Sequence, residues 1–293
     1  MTAHPWPLLR RHLEGVPDGG DILDPGAADR GELPWYRHAF EEAYLKVYNH
    51  RDQEEARRAV RFLVDRLRLE SGHRLLDLCC GPGRHLIPLD QHARLAVGLD
   101  LSQALLRRAK RNHRRLYGDC LVDRSCPVLL RGDMQHLPLA DGCFDRIVNL
   151  FTSFGYFDDE GQNQQVLREI ARVLRPTDSN RRGGLLAFDH INRSYLLKHF
   201  KARTRRTLEG GEYVEEHRQM TRNQQRVFKR ILFTSPQGEH RLWHESVRVY
   251  DPDELETMMR RAGLTPIARY GDYDGSDWTP ETRRLIIFAR RRP

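Results

Sequence analysis

Short apolar runs alternate with amphipathic segments along the chain from residue 73 onward. Runs typical of buried strands lie at residues 74–78, 95–99, 128–130, 144–150 and 185–188. Between them, the spacing of apolar residues predicts helices over 83–91, 102–115 and 162–174, the second of them capped by Ser102. Strands that alternate with helices in this way predict a parallel sheet with helices on both of its faces.

The alternation is interrupted between residues 207 and 249. Three strands are predicted there, over 212–218, 226–234 and 241–250. The turns between them are so short that neighbouring strands must pair antiparallel. The pattern therefore predicts an antiparallel insertion late in an α/β domain.

Further elements are predicted before the first strand and after the insertion. Residues 1–34 are rich in Pro, Gly and Asp and predict an irregular arm, followed by helices over 36–48 and 54–69. After the insertion, Asp251 is a predicted N-cap in front of Pro252 and a helix that ends at Ala262. Closing strands are predicted near 266–270 and 284–289, which brings the main sheet to seven strands.

Composition narrows the class of protein. The 293 residues are 39% hydrophobic and 31% charged with a mean hydropathy of −0.70, which is polar but sufficient for a core. No window reaches the roughly 18 apolar residues of a membrane-spanning helix. Nor does an apolar signal segment follow Met1. We therefore expect neither a membrane-spanning nor a secreted protein.

The five cysteines give no sign of a disulfide framework or of a zinc ribbon. Their number is odd, two of them are adjacent, and no CxxC pair occurs; they are Cys79, Cys80, Cys120, Cys126 and Cys143. A reducing, cytoplasmic location and no metal site are predicted.

The excess of basic over acidic residues neither excludes nor favours a nucleic-acid partner. The chain has 49 basic and 41 acidic residues, a net charge of +8. Only 5 of the basic residues are Lys, and the arginines are spread along the whole chain rather than gathered in one segment. Such a uniform excess is not typical of a focused phosphate-binding face.

The strongest chemical signal is a glycine-containing turn after the first strand. The spacing Asp77-x-Cys79-x-Gly81-x-Gly83 opens the following helix, whose N-terminal N–H groups face any ligand that the turn admits. A dinucleotide-binding fingerprint would need Gly or Ala at position 86, where this chain has Leu86.

This turn resembles motif I of the class I S-adenosylmethionine-dependent methyltransferases, an acidic residue followed by three alternate glycines. Cys79 stands where the first glycine is usual, which we expect to be tolerated if Cys79 keeps a negative φ. The resemblance implies a Rossmann-like, seven-stranded, mostly parallel sheet with helices on both faces and an antiparallel β insertion as a lid. It also implies S-adenosylmethionine as the cofactor.

The resemblance extends to the ends of the later strands. It implies that Asp100 and Leu101 follow the second strand at the ribose and that Asp133 and Met134 follow the third strand at the adenine. Further cofactor contacts are implied after the fourth strand, beside the reactive methyl, and before the first long helix, near the methionyl carboxylate. These contacts are Asn149, Leu150, Tyr48 and Arg51. All the strand-end sites lie at carboxyl ends of parallel strands, where open α/β sheets bind ligands.

Three regions are predicted from this resemblance. Residues 1–50 form an arm and helix that cover the substrate and cofactor, residues 51–191 and 250–293 form the cofactor-binding domain, and residues 192–249 form the lid. The implied function is transfer of a methyl group to a nitrogen or oxygen atom of a small-molecule acceptor by in-line displacement.

The sequence does not identify a catalytic residue or the acceptor. Weak candidates for a general base are Asp189, His190, His217 and His244. Two alternatives stay open, a methyltransferase of RNA or another nucleic acid and a non-catalytic S-adenosylmethionine-binding protein. No oligomeric state is predicted.

Overall fold

Eleven strands and seven α-helices make up the part of the chain that the computed structural model describes, residues 34–40, 42–48, 53–118, 126–179 and 182–293. The strands are β1 (Arg74–Leu78), β2 (Leu95–Asp100), β3 (Val128–Arg131), β4 (Arg146–Asn149), β5 (Leu185–Ile191), β6 (Arg203–Thr207), β7 (Tyr213–Met220), β8 (Arg226–Thr234), β9 (His240–Arg248), β10 (Leu264–Tyr270) and β11 (Arg284–Arg291). The helices are α1 (Glu42–Val47), α2 (Gln53–Arg66), α3 (Leu86–Asp90), α4 (Gln103–Tyr117), α5 (Glu160–Val173), α6 (Arg193–Lys198) and α7 (Pro252–Arg261).

Seven strands form the main sheet in the order β10-β11-β5-β4-β1-β2-β3. Strands β1 to β5 pair parallel, and β11 pairs antiparallel with both β5 and β10. The order changes direction at β1, because β2 lies on one side of it and β4 on the other. This is the switch point at which open α/β sheets bind ligands, and the predicted fold class is confirmed.

Two apolar clusters cover the two faces of this sheet. On one face α5 and α7 pack against the strands, with Ile170 and Met259 fully buried. On the other face α2, α3 and α4 pack, with Leu63 and Leu86 fully buried. The inner strands β1, β2, β4, β5 and β11 are buried on both faces, which explains why their sequences are apolar runs rather than alternating ones.

The insertion forms a separate antiparallel sheet in the order β6-β7-β8-β9. The three predicted strands are present as β7, β8 and β9, but the fourth strand, β6, was missed. Strand β6 reads Arg-Thr-Arg-Arg-Thr and contains no apolar residue, so it gave no hydrophobic signal. The short helix α6, which precedes it, was also missed.

A third apolar cluster joins the insertion sheet to the N-terminal helix. It contains Val47 of α1, Val214 of β7, Ile231 and Phe233 of β8, and Trp243 of β9. The continuous helix predicted over residues 36–48 is wrong, because a 3-10 turn at Trp35–Arg37 precedes the shorter α1.

The predicted helix caps have mixed outcomes. The Ser102 hydroxyl accepts a hydrogen bond from the Leu105 N–H at 3.2 Å, as predicted for α4. Asp251 occupies the N-cap position of α7, but its side chain accepts from Arg193 at 2.6 Å instead of capping the helix. The guanidinium of Arg193 is itself charged, so its hydrogen bond to Asp251 is an ion pair, which the backbone N–H groups of the helix do not offer.

The described residues also bear on the predictions for membrane-spanning helices, cysteines and the N-terminal arm. None of the helices in the described ranges is long and apolar enough to cross a lipid bilayer. Among the described cysteines, Cys79, Cys80 and Cys143 are free, whereas Cys126 is disulfide-bonded. The predicted N-terminal arm lies outside the described residues, except for Pro34.

Candidate functional site

A turn at the carboxyl end of β1 forms the centre of the site. The Cys80 N–H donates to the Leu99 carbonyl at 3.1 Å, which ties the turn to β2. The φ angles of Cys79, Gly81 and Gly83 are 62°, 55° and 77°, so all three adopt the left-handed conformation. The expectation of a negative φ at Cys79 is therefore wrong. A non-glycine residue in this conformation costs about 1–3 kcal/mol, which the surrounding structure must offset.

The glycines differ in what surrounds them. A Cβ built on Gly81 would have its nearest neighbour, Leu105 Cδ1, at 3.9 Å, so a side chain there extends into the cavity. A Cβ on Gly98 of β2 would lie 2.4 Å from Leu86 Cδ2 and 2.8 Å from Cys80 Sγ, inside the core. The backbone at Gly81 is thus open to a ligand, whereas Gly98 serves packing.

We expect Gly81→Val to abolish cofactor binding while the protein still unfolds cooperatively, because the new side chain occupies ligand space. Gly98→Ala is the matched control, since it should destabilise the fold by roughly 1–3 kcal/mol of overpacking. Calorimetric titration and thermal unfolding of both variants provide the measurement. Normal cofactor binding by Gly81→Val would show that the turn does not hold the ligand.

Asp100, at the end of β2, is held rigidly against the turn. Its Oδ2 accepts from the Gly81 N–H and its Oδ1 from the Ser102 N–H, both at 2.8 Å. Burial raises its carboxyl pKa, and these backbone donors oppose that increase. Each carboxylate oxygen retains a second lone pair that can accept from a ligand hydroxyl.

Asp77, at the end of β1, is a buried carboxylate with an unsatisfied oxygen. It is 2% exposed, and its Oδ2 accepts no hydrogen bond from any residue that the structure describes. Burial and the neighbouring charge of Asp100 raise its pKa to about 8. Burying an unpaired carboxylate is costly, so a cationic ligand group at this oxygen would be strongly favoured.

These groups line one cavity of about 920 Å3. Asp133 and Met134, after β3, lie on its wall, and Met134 Sδ is 3.7 Å from Cys79 Sγ. Leu150 and Phe151, after β4, line it as well.

Aromatic side chains form another part of the cavity wall. They come from the N-terminal segment and from the loop after β4, and they are Tyr36, Phe40, Tyr44, Tyr48, Tyr156 and Phe157. The rings of Tyr44 and Tyr48 are 4.5 Å apart, and those of Phe40 and Tyr156 are 5.8 Å apart. Burial, together with Tyr44, Cys79 and Glu245, raises the pKa of Tyr156 well above its usual range, so its phenol stays protonated.

Ten of the twelve predicted cofactor contacts line this cavity: Tyr48, Asp77, Cys79, Gly81, Gly83, Asp100, Leu101, Asp133, Met134 and Leu150. Asn149 does not line it. Its Nδ2 donates to the Leu78 carbonyl at 3.1 Å and links β4 to β1. Arg51 lies outside the described residues.

Asp189, predicted as a possible base, instead supports the loop after β4. Its Oδ2 accepts from the Phe151 N–H at 2.9 Å, and its carbonyl accepts from the Thr152 N–H at 3.0 Å. The φ angles of Phe151 and Thr152 are 57° and 60°, two consecutive left-handed residues next to the cavity. Backbone strain of this kind persists only where neighbouring groups enforce it.

Two further groups donate to the same carboxylate oxygen, whereas Asp189 Oδ1 is buried and accepts no hydrogen bond from any described residue. Tyr273 OH donates to Asp189 Oδ2 at 2.7 Å and Arg284 Nη1 at 3.0 Å. Asp189 is 1% exposed and does not line the cavity. Its hydrogen bonds hold the loop in place, and no described contact places it against a ligand.

None of the predicted histidine bases lines the cavity. His190 is fully buried among aromatic rings, and burial lowers its pKa to about 3. His217 Nε2 lies 2.6 Å from Glu215 Oε1 on the insertion sheet, and His244 is exposed on β9.

Sequence reasoning missed other cavity residues. Arg84 and His85 directly follow the glycine turn, and the His85 ring stacks on Phe151 at 5.0 Å. Their position directly after the motif is the signal that could have identified them. The loop residues Tyr156 and Phe157 gave no signal, because nothing in the sequence shows that this loop lines the same cavity as the turn after β1.

Comparisons with known proteins agree on one family. Residues 75–177 match a family model described as a methyltransferase domain. The chain is 30% identical over 145 residues to glycine N-methyltransferase of Rattus norvegicus, covering 46% of each protein. It is 35% identical over 139 residues to methyltransferase GfsG of Streptomyces halstedii, covering 47% of this chain and 45% of that protein.

Solved structures extend the similarity of fold beyond the matched domain. A crystal structure of an S-adenosylmethionine-dependent methyltransferase from Clostridium acetobutylicum superposes with a TM-score of 0.70. The match is 19% identical and covers 85% of this chain and 96% of that one. By contrast, the chain spans about half the length of the curated relatives it matches.

Proposed function

We propose that this chain, which belongs to the class I S-adenosylmethionine-dependent methyltransferase family, transfers a methyl group to a nitrogen or oxygen atom of a small-molecule acceptor. The observation that carries the proposal is the convergence of Asp77, Gly81, Asp100 and Asp133 on one cavity at the switch point of the sheet. The rat relative is named for methylation at nitrogen of glycine, a small molecule.

The groups around the turn fit the family's cofactor. Asp100 offers two fixed carboxylate oxygens to the two ribose hydroxyls, and Gly81 leaves space for the ligand backbone to approach. The unsatisfied Oδ2 of Asp77 suits the positively charged amino group of the methionyl part. We assign Asp133 and Met134, which line the cavity, to the adenine, the first for hydrogen bonding and the second for packing.

Bound S-adenosylmethionine supplies a methyl group that its sulfonium sulfur already activates. In the transfer, the acceptor's lone pair would form the bond to that carbon, the electrons of the broken carbon–sulfur bond would stay on sulfur to give S-adenosylhomocysteine, and the acceptor's proton would pass to the solvent. What the protein must do is align the acceptor and exclude water. We assign alignment to the aromatic wall, where the protonated phenol of Tyr156 can donate a hydrogen bond to the acceptor.

The third apolar cluster supports a lid made of two parts. Helix α1 packs on the insertion sheet through Val47, while Tyr44 and Tyr48 of the same segment line the cavity. Tyr48 OH donates to Glu245 Oε1 of β9 at 2.8 Å, which fixes one cavity ring to the sheet. We therefore assign the N-terminal helix and the insertion together to the acceptor cover.

Replacing Asp100 by Ala is expected to weaken cofactor binding by about 1.5–3 kcal/mol, the scale of hydrogen bonds to a charged group. A ligand lacking the 2′-hydroxyl separates this contact from damage to the turn. Wild-type protein should bind S-adenosylhomocysteine more tightly than its 2′-deoxy form, and Asp100→Ala should bind the two equally. An unchanged preference in the variant would place the ribose elsewhere.

The function as a whole is tested by calorimetry with S-adenosylmethionine, followed by mass-spectrometric screening of small-molecule pools for products that gain one methyl group. Binding together with a methylated product supports the proposal. Binding with no product from small molecules, but with methylated RNA, would contradict the acceptor class.

A further inference from the structure

The cavity continues from the glycine turn into a groove bounded by three helices. Its lining residues include Arg57 of α2 and Arg108, Arg111 and Arg115 of α4. Ile87 and Pro88 of α3 line the groove between them. We call the four arginines and these two apolar residues the arginine groove.

The arginines on α4 are spaced to face the groove together. Positions 108, 111 and 115 are three and four residues apart, so they share one face of the helix. The distance along the axis from Arg108 to Arg115 is about 10 Å at 1.5 Å per residue. On the same helix, the Asn112 side chain donates to the Pro82 carbonyl at 2.9 Å, which connects this face directly to the glycine turn.

Some arginines elsewhere in the described chain have carboxylate partners. Arg193 lies 2.6 Å from Asp251, and Arg248 lies 2.8 Å from Glu160. In the described ranges, no carboxylate forms an ion pair with any of the four groove arginines, and all four are exposed. Helix α4 contains six basic residues and no acidic one, so the charge is concentrated here although the arginines are spread along the sequence.

Unpaired guanidinium groups that converge on a groove suit phosphate. The planar guanidinium presents paired N–H donors that match phosphate oxygens, and it carries its charge at all physiological pH values. The volume of about 920 Å3 lies near the upper end of the roughly 300–1,000 Å3 range of ligand pockets, which leaves room for a second ligand beside the cofactor.

We propose that the arginine groove binds the phosphate groups of the methyl acceptor, which is therefore a phosphorylated small molecule. This inference rests on the proposed function, because it takes the second ligand of the cavity to be the acceptor. A small ligand is favoured over a nucleic acid because the groove belongs to the cofactor cavity and its basic row on α4 is only about 10 Å long. The exposed apolar side chain of Leu116 directly follows Arg115, the last arginine of this row.

The test measures binding of inorganic pyrophosphate and of uridine diphosphate to protein saturated with S-adenosylhomocysteine, and to protein without it. The groove variant is Arg108→Gln/Arg111→Gln. The control, Arg107→Gln/Lys110→Gln, removes the same charge from the same helix at exposed residues that do not line the cavity. We expect the groove variant to weaken binding of both probes at least about tenfold and the control less than about twofold, as for lost charge-assisted hydrogen bonds.

Other results of these titrations would overturn the proposal or contradict the proposed function. Equal losses in both variants would reduce the effect to general electrostatic attraction and overturn the proposal, as would an absence of pyrophosphate binding to either form of the wild type. Tight binding of oligouridylate that falls steeply with salt and depends on all four substituted residues would overturn it in favour of nucleic acid. S-adenosylhomocysteine failing to bind would contradict the proposed function, whereas the titrations without it would still decide whether the groove binds phosphate.

Discussion

Asp77→Asn is expected to weaken binding of S-adenosylmethionine by about 1.5–3 kcal/mol at pH 8 and to remove most of its pH dependence. The pKa of Asp77 is about 8 without a ligand, so at neutral pH the carboxyl is largely protonated. A cationic amino group binds the ionised form, and binding therefore displaces the proton. Affinity should rise by up to about tenfold per pH unit below pH 8 and fall again above it, where the ligand's α-amino group, with a usual pKa of about 8, loses its proton.

The same carboxyl makes the stability of the unliganded protein fall as the pH rises, whereas it makes the affinity for the cofactor rise. Its pKa rises from 3.8 in the unfolded chain to about 8 in the folded protein, so between these values the folded state binds more protons. Stability therefore falls as the pH rises through this window. Asp77→Asn should remove this loss and stabilise the unliganded protein by roughly 1–3 kcal/mol at pH 8, the scale of an unsatisfied buried group.

Two controls separate Asp77 from other titrating groups. Methylthioadenosine lacks the amino acid part of the cofactor, so its affinity for wild-type protein should vary little with pH. Calorimetry in buffers with different ionisation enthalpies should show that one proton is released when S-adenosylmethionine binds at pH 7, and none with Asp77→Asn. Equal pH dependence in the wild type and the variant would show that Asp77 does not meet the amino group.

Much of the cofactor side could be predicted because it depends on short sequence spacings at strand ends. Asp77, Gly81 and Asp100 are placed by three local features, which are a buried strand, a turn that needs glycine and the cap at Ser102. Since carboxyl ends of parallel strands meet at one edge of a sheet, placing each residue on its strand was sufficient to bring them together.

The conformation of Cys79 could not be predicted in the same way. Sequence alone favours a negative φ for any non-glycine residue, but the turn requires the left-handed conformation at this position. Tertiary contacts, including the bond from the Cys80 N–H to Leu99, outweigh the local preference.

The base candidates were misplaced because strand periodicity gives the face on which a residue lies and not its neighbours. Asp189 lies on β5 beside the end of β4, but its three side-chain donors come from positions 151, 273 and 284. Contacts at such separations arise from packing of the whole chain. For the same reason β6, a strand of Arg and Thr only, formed without any apolar signal.

The apolar clusters define which part of the chain can be removed. The two clusters that cover the main sheet contain no residue between Lys201 and Arg248. The third cluster consists only of N-terminal and insertion residues. Tyr250, by contrast, is fully buried in the main core, and its hydroxyl donates to Glu160 at 2.8 Å. A replacement that leaves Tyr250 in place should thus leave the main domain folded.

Replacing residues 202–246 by a short Gly/Ser linker is expected to leave affinity for S-adenosylmethionine within about tenfold, roughly 1.4 kcal/mol, while abolishing methyl transfer. The cofactor groups Asp77, Gly81 and Asp100 all lie on the main domain. The replacement removes the sheet against which α1 packs, and with it the support of the aromatic wall that we expect to align the acceptor and exclude water. Calorimetry, thermal unfolding and the product assay measure these three properties.

Adjacent residues on β9 provide a matched pair of point variants for the same question. Trp243 lies in the third cluster and is 8% exposed, whereas Leu242 points away from it and is 49% exposed. Trp243→Ala should loosen the contact between the insertion sheet and α1, at a cost of about 3–5 kcal/mol for a buried aromatic ring, and should reduce methyl transfer far more than cofactor affinity. Leu242→Ala should change neither, because its side chain is half exposed and does not belong to the third cluster. If transfer survives both the replacement and Trp243→Ala, the acceptor must be aligned by the main domain alone, and the insertion would have no part in the reaction.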